Sequence, residues 1–426
     1  MAIDERTSLP HETEPEAPAP IVTVVPIDEP EIAAAERRIE RALPFAIALP
    51  AVVLTYWTVD ILAPALPAIQ DDLALSAAGT GLVFSLLFLG RLVANIPAAF
   101  LVDRTGAAVT AAAGGALLTL GSLGAALAGS GGMLFPARIL QGVGISLLVT
   151  ASLRSILRAK PGQGAAMTYF GFAATIGGVF GLQSGGYLTE RFSWRAVFVL
   201  CMGLAAVLTV SIFLARGARV TAPNEATKKA HTEITAAGTA ASLRSVLPAL
   251  LFNFLVFFNY SIWVALPLYT ERRFGASAED NANLLLVITI MHLVAAFPAG
   301  RAIRTWGGQP ILIVGLLVAI AGTLLVLPVP SINWLAIPLV LYGAGMVAAS
   351  TAGSDIVLQR AGLSGRAVGM VRLSSDLGLV VGPYVTGALS DAFGYRTPFL
   401  ALPIVTVGAV ILALRDRSPD LGATRV

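Results

Sequence analysis

The chain has 426 residues and a net charge of +3, with 56% hydrophobic residues, only 12% charged ones and a mean hydropathy of +0.80. Soluble domains carry about a quarter charged residues, so this balance excludes a water-soluble globule. The 42 glycines and 25 prolines would weaken soluble helices but are tolerated in membrane spans, and the lone Cys201 excludes an internal disulfide or a cysteine-based metal site.

Residues 1–42 read as a cytoplasmic tail. ERTSLPHETEPEAPAPIVTVVPIDEPE (5–31) is rich in proline and acid and is expected to be disordered. It is no signal peptide, because it lacks a basic start and Pro26 breaks its short apolar stretch. EIAAAERRIERAL (31–43) spaces Ile32, Ala35, Ile39 and Leu43 for a short amphipathic helix leading into the first span. A span needs about twenty apolar residues. Twelve are predicted, at 43–68, 77–101, 107–129, 133–157, 165–188, 196–216, 246–269, 282–303, 310–328, 333–357, 367–389 and 397–415. The expected fold is therefore an all-α membrane protein of two six-helix bundles, 43–216 and 246–415. A polar cytoplasmic linker (217–245) joins them and a cytoplasmic tail (416–426) follows.

Lysine and arginine placement orients the spans, because these residues are retained on the cytoplasmic side. With the N-terminus inside, nineteen fall on cytoplasmic segments and five outside (Arg191, Arg195, Arg272, Arg273 and Arg396). Both termini are thus expected in the cytoplasm, in a plasma (inner) membrane.

The halves repeat. YLTERFSWRAVF (187–198) returns 201 residues later as ALSDAFGYRTPF, with four identities. GRLVANIPAAFLVDRTG (90–106) returns at the same offset as MHLVAAFPAGRAIRTWG, with six. QGVG (141–144) returns as YGAG, and ALP (65–67) as ALP (265–267), one residue short of that offset. Two parallel repeats place a site at their interface near the bilayer midplane.

Several segments carry recognisable signatures. LVDRTG (101–106) holds Asp103, Arg104 and Gly106; it departs from the usual pattern at Ala99 and at Ala107–Ala108. LFPARILQGVG (134–144) holds Leu134, Arg138, Gln141, Gly142 and Gly144. GGVFGLQSGG (177–186) includes Gly181, Gly185 and Gly186, with Leu182 where a proline is usual, and GLVVGPYVTG (378–387) includes Gly382 and Pro383. In span one, Asp60 precedes Pro64, Ala65, Leu66 and Pro67. Over about residues 43–415 the chain resembles the major facilitator superfamily, and its drug–proton antiporters in particular. The span-one spacing is similar to that of bicyclomycin- and chloramphenicol-resistance exporters. The resemblance implies alternating access. It gives Asp103, Arg104, Gly181, Gly185, Gly186, Gly382 and Pro383 a gating role, and turns Arg138 toward a cavity.

Charge in a span is costly and usually faces a cavity or a partner. Asp60, Arg91, Arg138, His292, Arg372 and Asp376 lie within predicted spans. Arg372 and Asp376 are four apart on one helix and can pair; Arg138 could instead snorkel outward, and His292 could simply pack. Asp60 has no base three or four residues away on its own helix. It is the first choice for proton coupling, followed by Asp376 and His292. Desolvation and a nearby arginine pull such a carboxylate in opposite directions, which suits a group that changes protonation as the cavity alternates. Arg91, Arg138, Arg372, Tyr56, Trp57, Gln183, Asn259, Tyr260 and Trp263 are the expected substrate-cavity residues.

These observations lead to a proton-coupled exporter of a small amphipathic or drug-like compound. An organic-anion transporter using the three arginines, possibly for uptake, is the alternative. A non-transporting sensor of the same fold is a third reading. No nucleophile–base pair or phosphate-cradling loop suggests an enzyme, and no cofactor, metal or nucleic acid is expected. The expected partners are a small-molecule substrate, protons and the lipid bilayer, and the expected state is a monomer. Single cysteines at Ser277 and Thr227 are predicted to label from opposite sides of the membrane, the first from outside. Labelling of both from one side would reject the topology.

Overall fold

The computed structural model describes residues 29–159, 163–215, 243–361 and 365–415. The expected disordered tail, the linker and the C-terminal tail lie outside the described residues, apart from a helix that begins at Glu29 and runs through Asp60. Among the described residues, ten helical segments are long and apolar enough to cross a membrane. These are Phe45–Asp72, Ala77–Thr105, Ala107–Ala126, Gly131–Leu157, Trp194–Ala215, Leu247–Phe274, Ala278–Trp306, Gly308–Leu325, Ile332–Arg360 and Pro398–Arg415. Gln163–Arg191 and Gly365–Phe393, each of 29 residues, are the fifth and eleventh spans. Both are richer in glycine and serine than their neighbours. Helices are the form that satisfies backbone polar groups within a single segment, as an apolar phase requires. Buried hydroxyls follow the same rule: Thr55, Thr58 and Ser122 donate to carbonyls one turn back on their own helices.

Packing repeats with the sequence. Span three packs on four as nine packs on ten, two on four as eight on ten, and three on six as nine on twelve. The halves meet where span two packs on eleven and span five on eight. Within the first half, Gly177, Gly181 and Gly185 abut the backbone of span one at Val53, Trp57 and Ile61. Their counterparts Gly378 and Gly382 abut span seven at Phe254 and Phe258. Small residues let membrane helices approach this closely.

At the end of the bundle away from the termini, hereafter the distal end, polar groups join the halves. Asp391 accepts from the backbone N–H groups of Ala77 and Ala78 at 2.7 and 2.8 Å, at the start of span two. Glu190 accepts from Ala278 N–H at 3.1 Å, at the start of span eight. Glu190 and Asp391 are repeat equivalents, as are Ala77 and Ala278. Arg272 reaches Asp71 at 2.8 Å, and Gln70 donates to the Tyr395 hydroxyl at 3.1 Å. Gly186 lies against Ala278 and Ala282, and Gly387 against Ala77 and Ala78. The distal end is sealed.

At the opposite end, spans two and eight stop at Gly106 and Gly307, with φ/ψ of 85°/164° and 89°/163°. Each glycine donates back to the carbonyl four residues earlier, Val102 or Ile303. Only glycine adopts this backbone region without strain. Gly106→Ala and Gly307→Ala are each predicted to destabilise the protein by about 1–3 kcal/mol. The measurement is unfolding of the purified protein, and because a Cβ at Gly106 would touch nothing, any loss there reports the backbone.

Candidate functional site

Span one breaks immediately after Asp60. Pro64 has no N–H to offer the Asp60 carbonyl, and Pro67 none for Ala63, so the helix gives way to a turn and a short 3-10 segment at Ala63–Ala65. Asp60 is partly buried on this break. A methyl at Gly178 would stand 2.7 Å from its Oδ2, so glycine on span five leaves room for the carboxylate. From the other half, the buried Trp263 indole N–H, which has no hydrogen bond of its own, interacts with Asp60. The Tyr260 hydroxyl also feels the Asp60 charge. Tyr260 stacks on Phe257 at 5.2 Å and lies 5.5 Å from His292, which is nearly parallel to Trp263 at 6.1 Å. His292 Nε2 is buried without a partner. A carboxylate thus faces an aromatic wall across the seam, and no arginine or lysine pairs with it among the described residues.

The second cluster is an ion pair between the halves. Arg91 of span two pairs with Asp376 of span eleven, whose side chain is 1% exposed. Asn95 donates to the other Asp376 oxygen at 2.8 Å, and Ser146 of span four donates to Asn95 at 2.9 Å. Tyr56 and Arg372 lie within electrostatic reach of Arg91. The pair expected along span eleven is therefore displaced. Asp376 takes Arg91 from the opposite half, and Arg372 is left as a second cation beside one carboxylate.

Other expected cavity residues point elsewhere. Arg138 is 1% exposed and is bound inside the first half, donating to Val83 O at 2.9 Å and to Gln141 at 2.6 Å. Gln141 continues to Ser122, which reaches Cys201. Asn259 is turned into the second half, where it donates to Leu255 O and accepts from Thr406, while its backbone carbonyl accepts from Tyr342. Trp57 donates to Ser184 of span five at 2.9 Å. Gln183 keeps a buried amide nitrogen without a partner. Arg138, Asn259 and Trp57 thus brace each half from within.

The expected gating residues also divide. Asp103 pairs with Arg154 inside the first half, and Arg104 lies over Phe100 at 4.2 Å. Gly181, Gly185 and Gly382 serve packing within a half, whereas Gly186 and the Pro383 carbonyl, which meets Gly81, sit on the seam. Sequence reasoning missed Asn95, Ser146, Glu190 and Asp391. For the last two a signal existed: they are the acidic pair within the quoted repeat.

The family model described as Major Facilitator Superfamily matches residues 48–383 and 254–425. An uncharacterized MFS-type transporter of Mycobacterium tuberculosis is 33% identical over 140 residues, 32% of this chain and 24% of that protein. A Salmonella typhi protein named as a multidrug resistance protein, MdtD, is 33% identical over 117 residues, 27% of this chain and 25% of its own length. The chain thus matches about a quarter of the length of these curated relatives. Among solved structures, the nucleoside transporter NupG aligns with a TM-score of 0.70 at 13% identity, covering 86% of this chain and 99% of its own. A D-xylose–proton symporter aligns at 0.72 and 13% identity, covering 89% and 98%. These structural likenesses concern the fold.

Removing one partner of a buried ion pair leaves the other charge unpaired, at a cost of about 3–5 kcal/mol. Arg91→Gln and Asp376→Asn are each predicted to destabilise the purified protein on that scale, and the double variant by clearly less than their sum. Strict additivity in the unfolding measurements would show that the pair contributes no coupling.

Proposed function

Because the chain belongs to the Major Facilitator Superfamily, we propose that it is a proton-coupled secondary transporter which exports a small amphipathic, drug-like compound by alternating access. The observation that carries this reading is Asp60, a carboxylate on a helix break, without a basic partner, facing Tyr260, Trp263 and His292 from the other half. A cationic or polarisable substrate suits such a wall, because aromatic faces attract cations. The likeness to a protein named for multidrug resistance supports the same substrate class.

In this mechanism substrate and proton compete for Asp60, and each proton that enters from outside releases substrate outward. Asp376 is second in line because Arg91 and Asn95 already occupy both its oxygens. His292 is third. The sealed distal end fits a state that loads from the cytoplasm, given cytoplasmic termini and a monomer in the plasma membrane. One observation favours organic anions instead: Arg91 and Arg372 share a single carboxylate. Counterflow with cationic, neutral and carboxylate compounds separates the two readings.

Asp60→Asn keeps the shape and removes the titration. It is predicted to abolish pH-gradient-driven efflux from proteoliposomes while leaving binding of a neutral substrate nearly intact. Efflux equal to that of the parent would make the carboxylate structural and reject proton coupling at this position.

A further inference from the structure

Two charges at the seam have no counter-ion. Asp60 faces the aromatic wall with no basic partner among the described residues. Asp376 gives one oxygen to Arg91 and the other to Asn95. Arg372, one turn earlier on span eleven, therefore has no ion pair of its own among the described residues. Asp60 and Arg372 each keep part of their surface accessible. The charges of Asp60, Arg91, Arg372 and Asp376 sum to zero, so one negative and one positive pole stand unmatched and apart. A buried charge without a partner is expensive.

The repeat gives their separation. Asp60 lies beside Gly178 of span five, whose counterpart on span eleven is Leu379. Parallel halves are related by an axis along the membrane normal, so counterparts stand at the same depth. Arg372 precedes Leu379 by seven residues, which at the helical rise places it about 10 Å farther from the distal end than Asp60. A helical side chain leaves its backbone tilted toward the helix start, which on span eleven is the end away from the rim. Arg372 thus leans away from Asp60. The surface between them is aromatic. Tyr56 sits one turn from Asp60 on span one, and it is within electrostatic reach of Arg372 and Arg91. Phe257, stacked on Tyr260 at 5.2 Å, continues the aromatic wall along span seven. Tyr56 and Phe257 are both half-buried.

We propose that the two poles hold opposite ends of one molecule, a zwitterion whose ammonium meets Asp60 and whose carboxylate meets Arg372, with an apolar linker lying along the aromatic surface between them. This rests on the reading of Asp60 as the place where substrate and proton compete, and it narrows the amphipathic compound to one that carries both charges at a set spacing. A lone cation satisfies Asp60 and leaves Arg372 bare, and a lone anion does the reverse. Each would leave one buried charge unpaired, which is the costlier outcome. A guanidinium offers a carboxylate two parallel N–H donors, so that end is fixed in orientation as well as in charge. Arg91 keeps its bond to Asp376 and adds only a positive background. The groups that favour cations and those that favour anions, rivals when taken separately, are complementary to a single substrate when taken together.

The test is calorimetric binding to the purified full-length protein in nanodiscs, with empty nanodiscs as the blank. The probes are ω-aminooctanoate, octylammonium, octanoate and β-alanine. Extended ω-aminooctanoate matches the spacing of the poles, the next two carry one charge each, and β-alanine carries both too close together. ω-Aminooctanoate is expected to bind at least about tenfold more tightly than each of the others, the value of one charge-assisted hydrogen bond. Arg372→Gln is expected to erase its advantage over octylammonium, and Asp60→Asn its advantage over octanoate. The isosteric Asp60→Asn carries the reading if Arg372→Gln folds poorly. No binding of ω-aminooctanoate, equal binding of any other probe, or an advantage that survives both substitutions would overturn the proposal. Efflux of each probe under a pH gradient is measured in parallel. A missing preference with coupled efflux intact rejects the two-pole site and leaves the export reading standing, whereas a clear preference without coupled efflux does the opposite.

Discussion

Backbone N–H groups at the start of a helix have no acceptor within it, and in an apolar phase each one must find a partner or cost stability. Here the starts of spans two and eight find theirs in the opposite half, at Asp391 and Glu190. A carboxylate is also the charge that a helix N-terminus favours. The seal therefore exchanges water for protein at groups that water can satisfy equally well. Such exchanges nearly cancel. The closure is tight, with glycine against alanine backbone. The Arg91–Asp376 pair and the aromatic wall meet across the same seam that this rim closes.

Symmetry is kept where the protein seals and lost where its chemistry lies. At the rim, Glu190 and Asp391, Ser76 and Ser277, and Gly186 and Gly387 are all related by the same offset and make the same kinds of contact. At the centre the correspondence breaks. His292 stands where the repeat would place a second Arg91, and Thr175, which bonds its own helix, stands where it would place a second Asp376. Asp60 faces tyrosine and tryptophan rather than another carboxylate. Two matched acids across one seam would repel, so a charged centre demands different residues on its two sides.

The fold was largely legible in the sequence, because spans are long apolar runs and the repeat fixes which helices correspond. Asp60, Arg91, His292 and Asp376 were legible as buried charges. Their pairing was not. Spacing along one helix suggested Arg372 for Asp376, whereas the true partner lies 285 residues away. Arg138 and Asn259 show the same limit: residue type marks a buried polar group but not the face it turns to. A guanidinium bound by Val83 and Gln141 inside a half reads in sequence like one bordering a cavity. Glu190 and Asp391 were passed over because acids near a span end look like ordinary surface charge.

The reciprocal caps at the rim have an ancestral reading. In a twofold dimer of identical chains, residue i of one copy contacts residue j of the other, and j contacts i in return. Glu190 to Ala278 and Asp391 to Ala77 form such an isologous pair, written within one polypeptide. A six-span protein with one acid and one capped helix start could have closed the same rim by self-association. Its centre, however, would have had to meet its own copy, acid opposite acid. Duplication and fusion release that restriction, because each half can then mutate alone while the rim keeps them aligned. Asp60 opposite Tyr260 and Trp263 is an arrangement open to a fused chain and closed to a homodimer.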